Sequence, residues 1–191
     1  MKRIALIFCV CLFALSIQAQ GAETIQKTTT HLKFMGIEIN GTLSEFEKKL
    51  SYLGIVPYPN HYDKIDGERY YDGDFWGEYA IIAIYYSPRS EIVYNANVII
   101  LRDKEKTIKK IRATFEHELD LEYGKKNKDA VKGKVGENYE YTGFLYNLDN
   151  GLVSISSSPV SYSSNVFKLQ VEYLDKMNYS IYLQEEKVDA K

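Results

Sequence analysis

Beyond the N-terminal apolar run the chain carries three histidines, His31, His61 and His117, and none stands at a spacing from another histidine or paired carboxylates that would hold a metal. His117-Glu118 begins like a zinc-protease helix, but the position four residues on is Leu121, so the second ligand is missing and His117 reads as a solvated helix residue. The segment Asp72-Gly73-Asp74-Phe75-Trp76-Gly77-Glu78 starts like a calcium loop, with carboxylates at its first and third positions. It fails where Trp76 and Ala83 replace the later oxygen ligands, which leaves a turn before a strand. Serines cluster at Ser154, Ser156, Ser157, Ser158, Ser161, Ser163 and Ser164. A serine nucleophile needs a base held against its hydroxyl, and neither a Gly-x-Ser-x-Gly elbow nor a Ser-x-x-Lys pair is present, so the cluster reads as the polar face of a strand and its loop. No glycine-rich phosphate cradle or dinucleotide fingerprint occurs. The sequence therefore shows no recognisable catalytic motif and none for a cofactor or a metal.

What it does present is tyrosine, 17 in all, beside a single tryptophan. A ring with a polar tip both stacks and hydrogen-bonds, which suits a surface that meets proteins or sugars, although tyrosine also suits half-buried strands. The aromatic side chains crowd around the acidic turn, so the candidate ligand-binding residues are Tyr70, Tyr71, Asp72, Asp74, Phe75, Trp76 and Tyr79.

The N-terminus has the layout of a secretory signal peptide: Lys2 and Arg3, the apolar run Ile4 to Leu15, then small and polar residues up to Ala19. The run is about twelve residues, against the roughly twenty that a membrane-crossing helix needs. Cleavage after Ala19 removes Cys9 and Cys11, the two cysteines of the chain, which leaves no disulfide, thiolate metal site or cysteine nucleophile. It also removes Lys2 and Arg3, so the 24 basic residues fall to 22 against 26 acidic ones, a net charge of −4. That balance gives no electrostatic attraction to nucleic acid, and no later stretch is long and apolar enough to span a membrane.

Residues 20–30 read as a flexible lead-in, 31–183 as one domain, and 184–191 as a disordered tail. A first strand covers His31 to Ile39. Thr42-Leu43-Ser44-Glu45 is a capping box, and Leu43, Phe46, Leu50 and Leu53 form the apolar stripe of a helix that Gly54 ends. A second helix runs from Lys104 to Tyr123, with Ile108, Ile111, Phe115, Leu119 and Tyr123 on one side. Three strands follow each helix: Tyr70-Tyr71, Tyr79–Tyr86 and Ile92–Leu101, then Tyr139–Leu148, Leu152–Ser157 and Phe167–Leu174. Ala80 to Ile84 is apolar on both faces, as in a strand with neighbours on both sides, and Asn150-Gly151 marks a type I′ hairpin turn. The expected fold is an α+β two-layer sandwich, an antiparallel sheet with two helices on one face, built from two helix-plus-three-strand units in tandem.

The segments His31 to Thr42, Gly73-Asp74-Phe75-Trp76-Gly77, Tyr123-Gly124-Lys125 and Val171 to Lys176 together resemble a family of small uncharacterised exported proteins of Bacteroidetes bacteria. That resemblance implies an envelope location and supplies no catalytic residues. The duplicated helix-then-strands order is similar, at the level of fold, to the β-lactamase inhibitor protein and to outer-membrane assembly lipoproteins, and fold alone does not give function. The expected role is an exported binding or interaction module of the cell envelope with an unknown protein or carbohydrate partner. The alternatives are an envelope hydrolase of unrecognised design and an outer-membrane assembly factor.

If the leader is cleaved as expected, intact-mass measurement of exported protein gives a chain beginning at Gln20 that does not react with maleimide under denaturing conditions.

Overall fold

The computed structural model describes residues 30–59, 65–135, 139–161 and 164–189. The expected leader, nearly all of the lead-in, and His61 lie outside the described residues. The described residues open with two short strands, β1 (Lys33–Phe34) and β2 (Ile37–Glu38), paired Phe34 to Ile37. They replace the single strand expected over His31 to Ile39, because Met35 and Gly36 take φ values of 49° and 80°, the paired positive angles of a type I′ turn.

Helix α1 (Leu43–Tyr52) starts as its sequence dictates. The Glu45 N–H donates to Thr42 Oγ1 (3.4 Å) and the Thr42 N–H donates to Glu45 Oε2 (2.9 Å), closing the capping box. Four strands follow: β3 (Val56–Pro57), β4 (Glu68–Phe75), β5 (Glu78–Tyr86) and β6 (Val93–Arg102). The second half repeats this order with α2 (Glu105–Tyr123), β7 (Lys128–Val135), β8 (Tyr139–Asn147), β9 (Gly151–Ser161) and β10 (Ser164–Asp175). A third helix, α3 (Lys176–Asp189), closes the chain. Each half thus has four strands where three were expected. The two-residue β3 is too short to show a period, and β7, with three lysines, lacks an apolar face.

Apart from the β1–β2 pair, the strands form one antiparallel sheet in the order β3-β4-β5-β6-β10-β9-β8-β7. The last strand of each half therefore meets the other at the centre, where Val98 faces Val171 and Ile100 faces Leu169. The fold is the expected α+β arrangement. Leu43, Phe46 and Leu50 of α1 and Ile108, Ile111, Phe115 and Leu119 of α2 share a single core with alternate residues of the strands. The β1–β2 hairpin inserts Phe34 into that layer, stacked on Phe75 (6.0 Å) and edge-on to Tyr173 (5.4 Å).

Two local expectations change. Neither Asn150 nor Gly151 takes a positive φ, so their hairpin is not type I′. Gly151 is required for close approach instead, since a Cβ there would stand 2.6 Å from the Leu174 carbonyl oxygen and 2.8 Å from Leu32 Cδ2. The C-terminal residues 184–189, assigned to a tail, are the end of α3. Its sequence is weakly amphipathic, and tertiary hydrogen bonds hold it. Buried Asp175 accepts from the Asn178 N–H (2.9 Å) with one oxygen and from the Leu32 N–H (2.8 Å) with the other, while His31 Nδ1 lies 3.2 Å from that second oxygen. The Asn178 side-chain amide donates to the carbonyls of Ile39 (2.9 Å) and Val93 (2.8 Å).

Asn178→Ala leaves both buried carbonyls without that donor and costs about 2–3 kcal/mol. A urea titration should show the midpoint lowered with the slope unchanged.

Candidate functional site

A strand sends successive side chains to opposite faces, and that period of two decides the fate of the aromatic cluster. Tyr71 and Phe75 of β4 point into the helix-covered core, 3% and 0% exposed, and the Tyr71 hydroxyl donates to Glu47 of α1 (2.6 Å). Trp76 sits in the β4–β5 turn at φ 54°, with Gly77 at 83°, and packs against Phe75 (4.5 Å) and edge-on to Phe115 of α2 (5.0 Å). Tyr70, Asp72, Asp74 and Tyr79 lie on the other face. Three of them are occupied locally: the exposed Tyr79 hydroxyl donates to Asp72 Oδ2 (2.6 Å), and the Gly77 N–H donates to Asp74 Oδ1 (3.0 Å). The seven candidate residues are therefore not one patch. Phe75 and Tyr71 are core residues, Trp76 is a turn residue packed on α2, and only part of the set shares the second face.

That second face carries neither α1 nor α2. Following the register across it gives a row of facing residues, Tyr70, Ala83, Asn97, Glu172, Ser154 and Leu145, drawn from six consecutive strands. Glu172 stands at its centre, on the seam between the halves. The Asn95 amide donates to Glu172 Oε1 (2.7 Å). On the side of the first half, Tyr85 lies beside Tyr70, Glu68 and Asn97, so polar side chains of three strands gather there. Ser154, Ser156 and Ser158 of β9 line the other side, as expected of a polar strand face.

The electrostatics of the row are unusual for a sheet surface. Burial pushes the Glu172 carboxyl above the usual carboxylate range, against the opposing pull of the Asn95 hydrogen bond and the Lys168 charge. Burial also raises the Tyr85 hydroxyl, with the charges of Tyr70, Glu68 and Glu172 acting the same way. Asn95 and Asn97 are only 2% and 7% exposed, and their Oδ1 atoms, with Asp72 Oδ1, have no hydrogen-bond partner among the described residues. Those three acceptors belong to this face, while a fourth buried atom without a partner among the described residues, the Tyr123 hydroxyl oxygen, belongs to a ring packed against Tyr146 on the helix-covered side.

Alternation alone reads Asn95, Asn97 and Glu172 as wet residues, so the row is missed in the sequence. Its one visible signal is Asn95-Ala96-Asn97 inside an otherwise apolar strand. A bulge adds to the difficulty: Tyr85 faces Asn95 but Tyr86 faces Val93, so Val93, and not Tyr94, enters the core. The extra residue, Tyr94, stacks on Tyr182 of α3 (4.6 Å), which places α3 at one end of this face.

A second polar cluster joins α2 to β7–β9. Arg112 donates to Glu116 (2.6 Å), to the Thr142 carbonyl (2.8 Å) and hydroxyl (3.0 Å), and to the Ser157 hydroxyl (2.9 Å), beside a cavity of about 220 Å³. Lys128 pairs with Asp120 (3.1 Å), which also accepts from the Tyr146 hydroxyl (2.7 Å). These contacts fix the helix on the sheet, and among the described residues the side chain on the Ser157 hydroxyl is Arg112, which is no base. Among the described residues no three acidic or histidine side chains gather as metal ligands, and no helix is long and apolar enough to cross a membrane. His117 is exposed on α2, as expected. No family model, curated protein or solved structure matches the chain.

Because the Glu172 carboxyl titrates higher folded than unfolded (about 4.3), the native state binds the extra proton between the two values, and stability falls as pH rises through that window. Glu172→Gln keeps the oxygen that Asn95 donates to and removes the charge. Thermal denaturation should find this variant more stable than the parent at neutral pH and equal to it below pH about 4.

Proposed function

We propose that the protein is an exported binding module of the bacterial cell envelope and that it recognises its partner with the sheet face centred on Glu172. The observation that carries this reading is the polar row of Tyr70, Tyr85, Asn97, Asn95 and Glu172 on a face that neither α1 nor α2 covers, with the Asn95 and Asn97 Oδ1 atoms lacking donors. Polar groups set among strand side chains without partners cost stability, and a face serving only the fold does better with apolar or fully solvated residues. A ligand rich in O–H or N–H donors pairs with the half-buried Glu172 carboxyl, the Tyr70 and Tyr85 hydroxyls and Ser154 of this face, and the tyrosine rings offer stacking surface beside them. Both a carbohydrate and a protein surface have that chemistry.

Export is supported by the charged, apolar and small-residue order of residues 1–19. A binding role is supported further by the polar groups of the α2 cluster, which are engaged with one another and hold helix to sheet.

The test replaces the polar centre while keeping its volume, with Asn97→Leu and Glu172→Leu together, and measures binding to a glycan array, to isolated peptidoglycan and to purified envelope proteins. Parent protein is expected to bind a member of this panel, and the double variant to lose at least about tenfold in affinity while remaining folded. Equal binding by both proteins, or turnover of an envelope polymer at an undiminished rate in the double variant, would sink the reading.

A further inference from the structure

The two edges of the sheet are built differently. One edge is β3, two residues long and ending in Pro57, which has no N–H to offer a further strand. The other is β7, whose eight residues pair with β8 without a register shift, from Lys128 opposite Tyr146 to Val135 opposite Tyr139. Among the described residues no strand pairs with its outer side, so a straight row of backbone donors and acceptors faces outward.

Charge marks the same edge. Residues 125–134 hold five lysines and one aspartate, in a chain whose acidic residues outnumber its basic ones. The register places Lys128, Lys132 and Lys134 on the helix-covered side of β7, opposite Tyr146, Thr142 and Glu140. Lys128 is engaged by Asp120, whereas Lys132 and Lys134 are exposed. Beside them a groove of about 340 Å³ is lined by Arg112, Ala130, Lys132 and Phe144. On the opposite side of the strand stand Asp129, Val131 and Gly133.

We infer that β7 is a docking edge for an extended acidic peptide, which adds to the sheet as a ninth strand. Its backbone pairs with β7, its acidic side chains fall at every second position beside Lys132, Lys134 and the groove, and its intervening apolar side chains lie beside Val131. A second copy of this chain is a poor occupant, because β7 against β7 sets lysines against lysines. The proposal is independent of the reading of the Glu172 face.

The probes are two acetylated octapeptides, one alternating Glu and Val and one alternating Lys and Val, titrated against the protein with amide hydrogen exchange followed in β7. The Glu peptide is expected to bind at least about tenfold tighter than the Lys peptide, to weaken with added salt, and to slow exchange of β7 amides. The pair Lys132→Glu and Lys134→Glu should reverse the preference, and Lys132→Gln with Lys134→Gln should reduce it. If the reversed variant does not fold, the neutral variant and the salt dependence of the parent still decide. Equal affinity for both peptides, binding that leaves β7 exchange unchanged, or a concentration-dependent dimer that protects β7 overturns the proposal.

Discussion

The structure depends on the pairing of β6 with β10. Each half of the chain is a helix followed by antiparallel strands, and α2 lies over β9 and β10 of its own half and reaches β6 of the other. Joining the halves edge to edge makes one surface that both helices share, and it sets Val98 against Val171 and Ile100 against Leu169 in the common core. Phe34, Phe75, Phe115 and Tyr173 then meet in one aromatic cluster contributed by both halves. The same pairing brings Asn97 beside Glu172 on the reverse side. One seam therefore creates both the shared core and the polar row.

The parts of this fold that were legible in the sequence are those governed by neighbours a few residues away. Thr42 and Glu45 cap each other across three residues, and the stripe from Ile108 to Leu119 is a pure helical repeat. Both appear in the structure as read. The turns were harder, since Met35-Gly36 and Trp76-Gly77 adopt the positive φ angles usually given to Asn-Gly, while the actual Asn150-Gly151 does not. Helix α3 was illegible because Asn178 earns its place from the carbonyls of Ile39 and Val93, more than eighty residues distant in each case.

The candidate residues divide between the two faces for a similar reason. Clustering in sequence suggested a patch at residues 70–79, yet consecutive strand residues cannot share a face, so Tyr70 and Tyr71 were divided by the sheet. What gathers on a sheet face is one residue from each of several strands, and only the register identifies them. Tyr70, Asn97 and Glu172 lie far apart along the chain and stand in one row.

Trp76 has a consequence of a different kind. It is the single tryptophan, it belongs to a hairpin of the first half, and its ring lies against Phe115 in the second half. The chain thus contains one indole fluorophore placed where its two units meet. Its emission wavelength reports whether α2 is docked, and a shift toward the red marks separation of the units even while each retains its own strands.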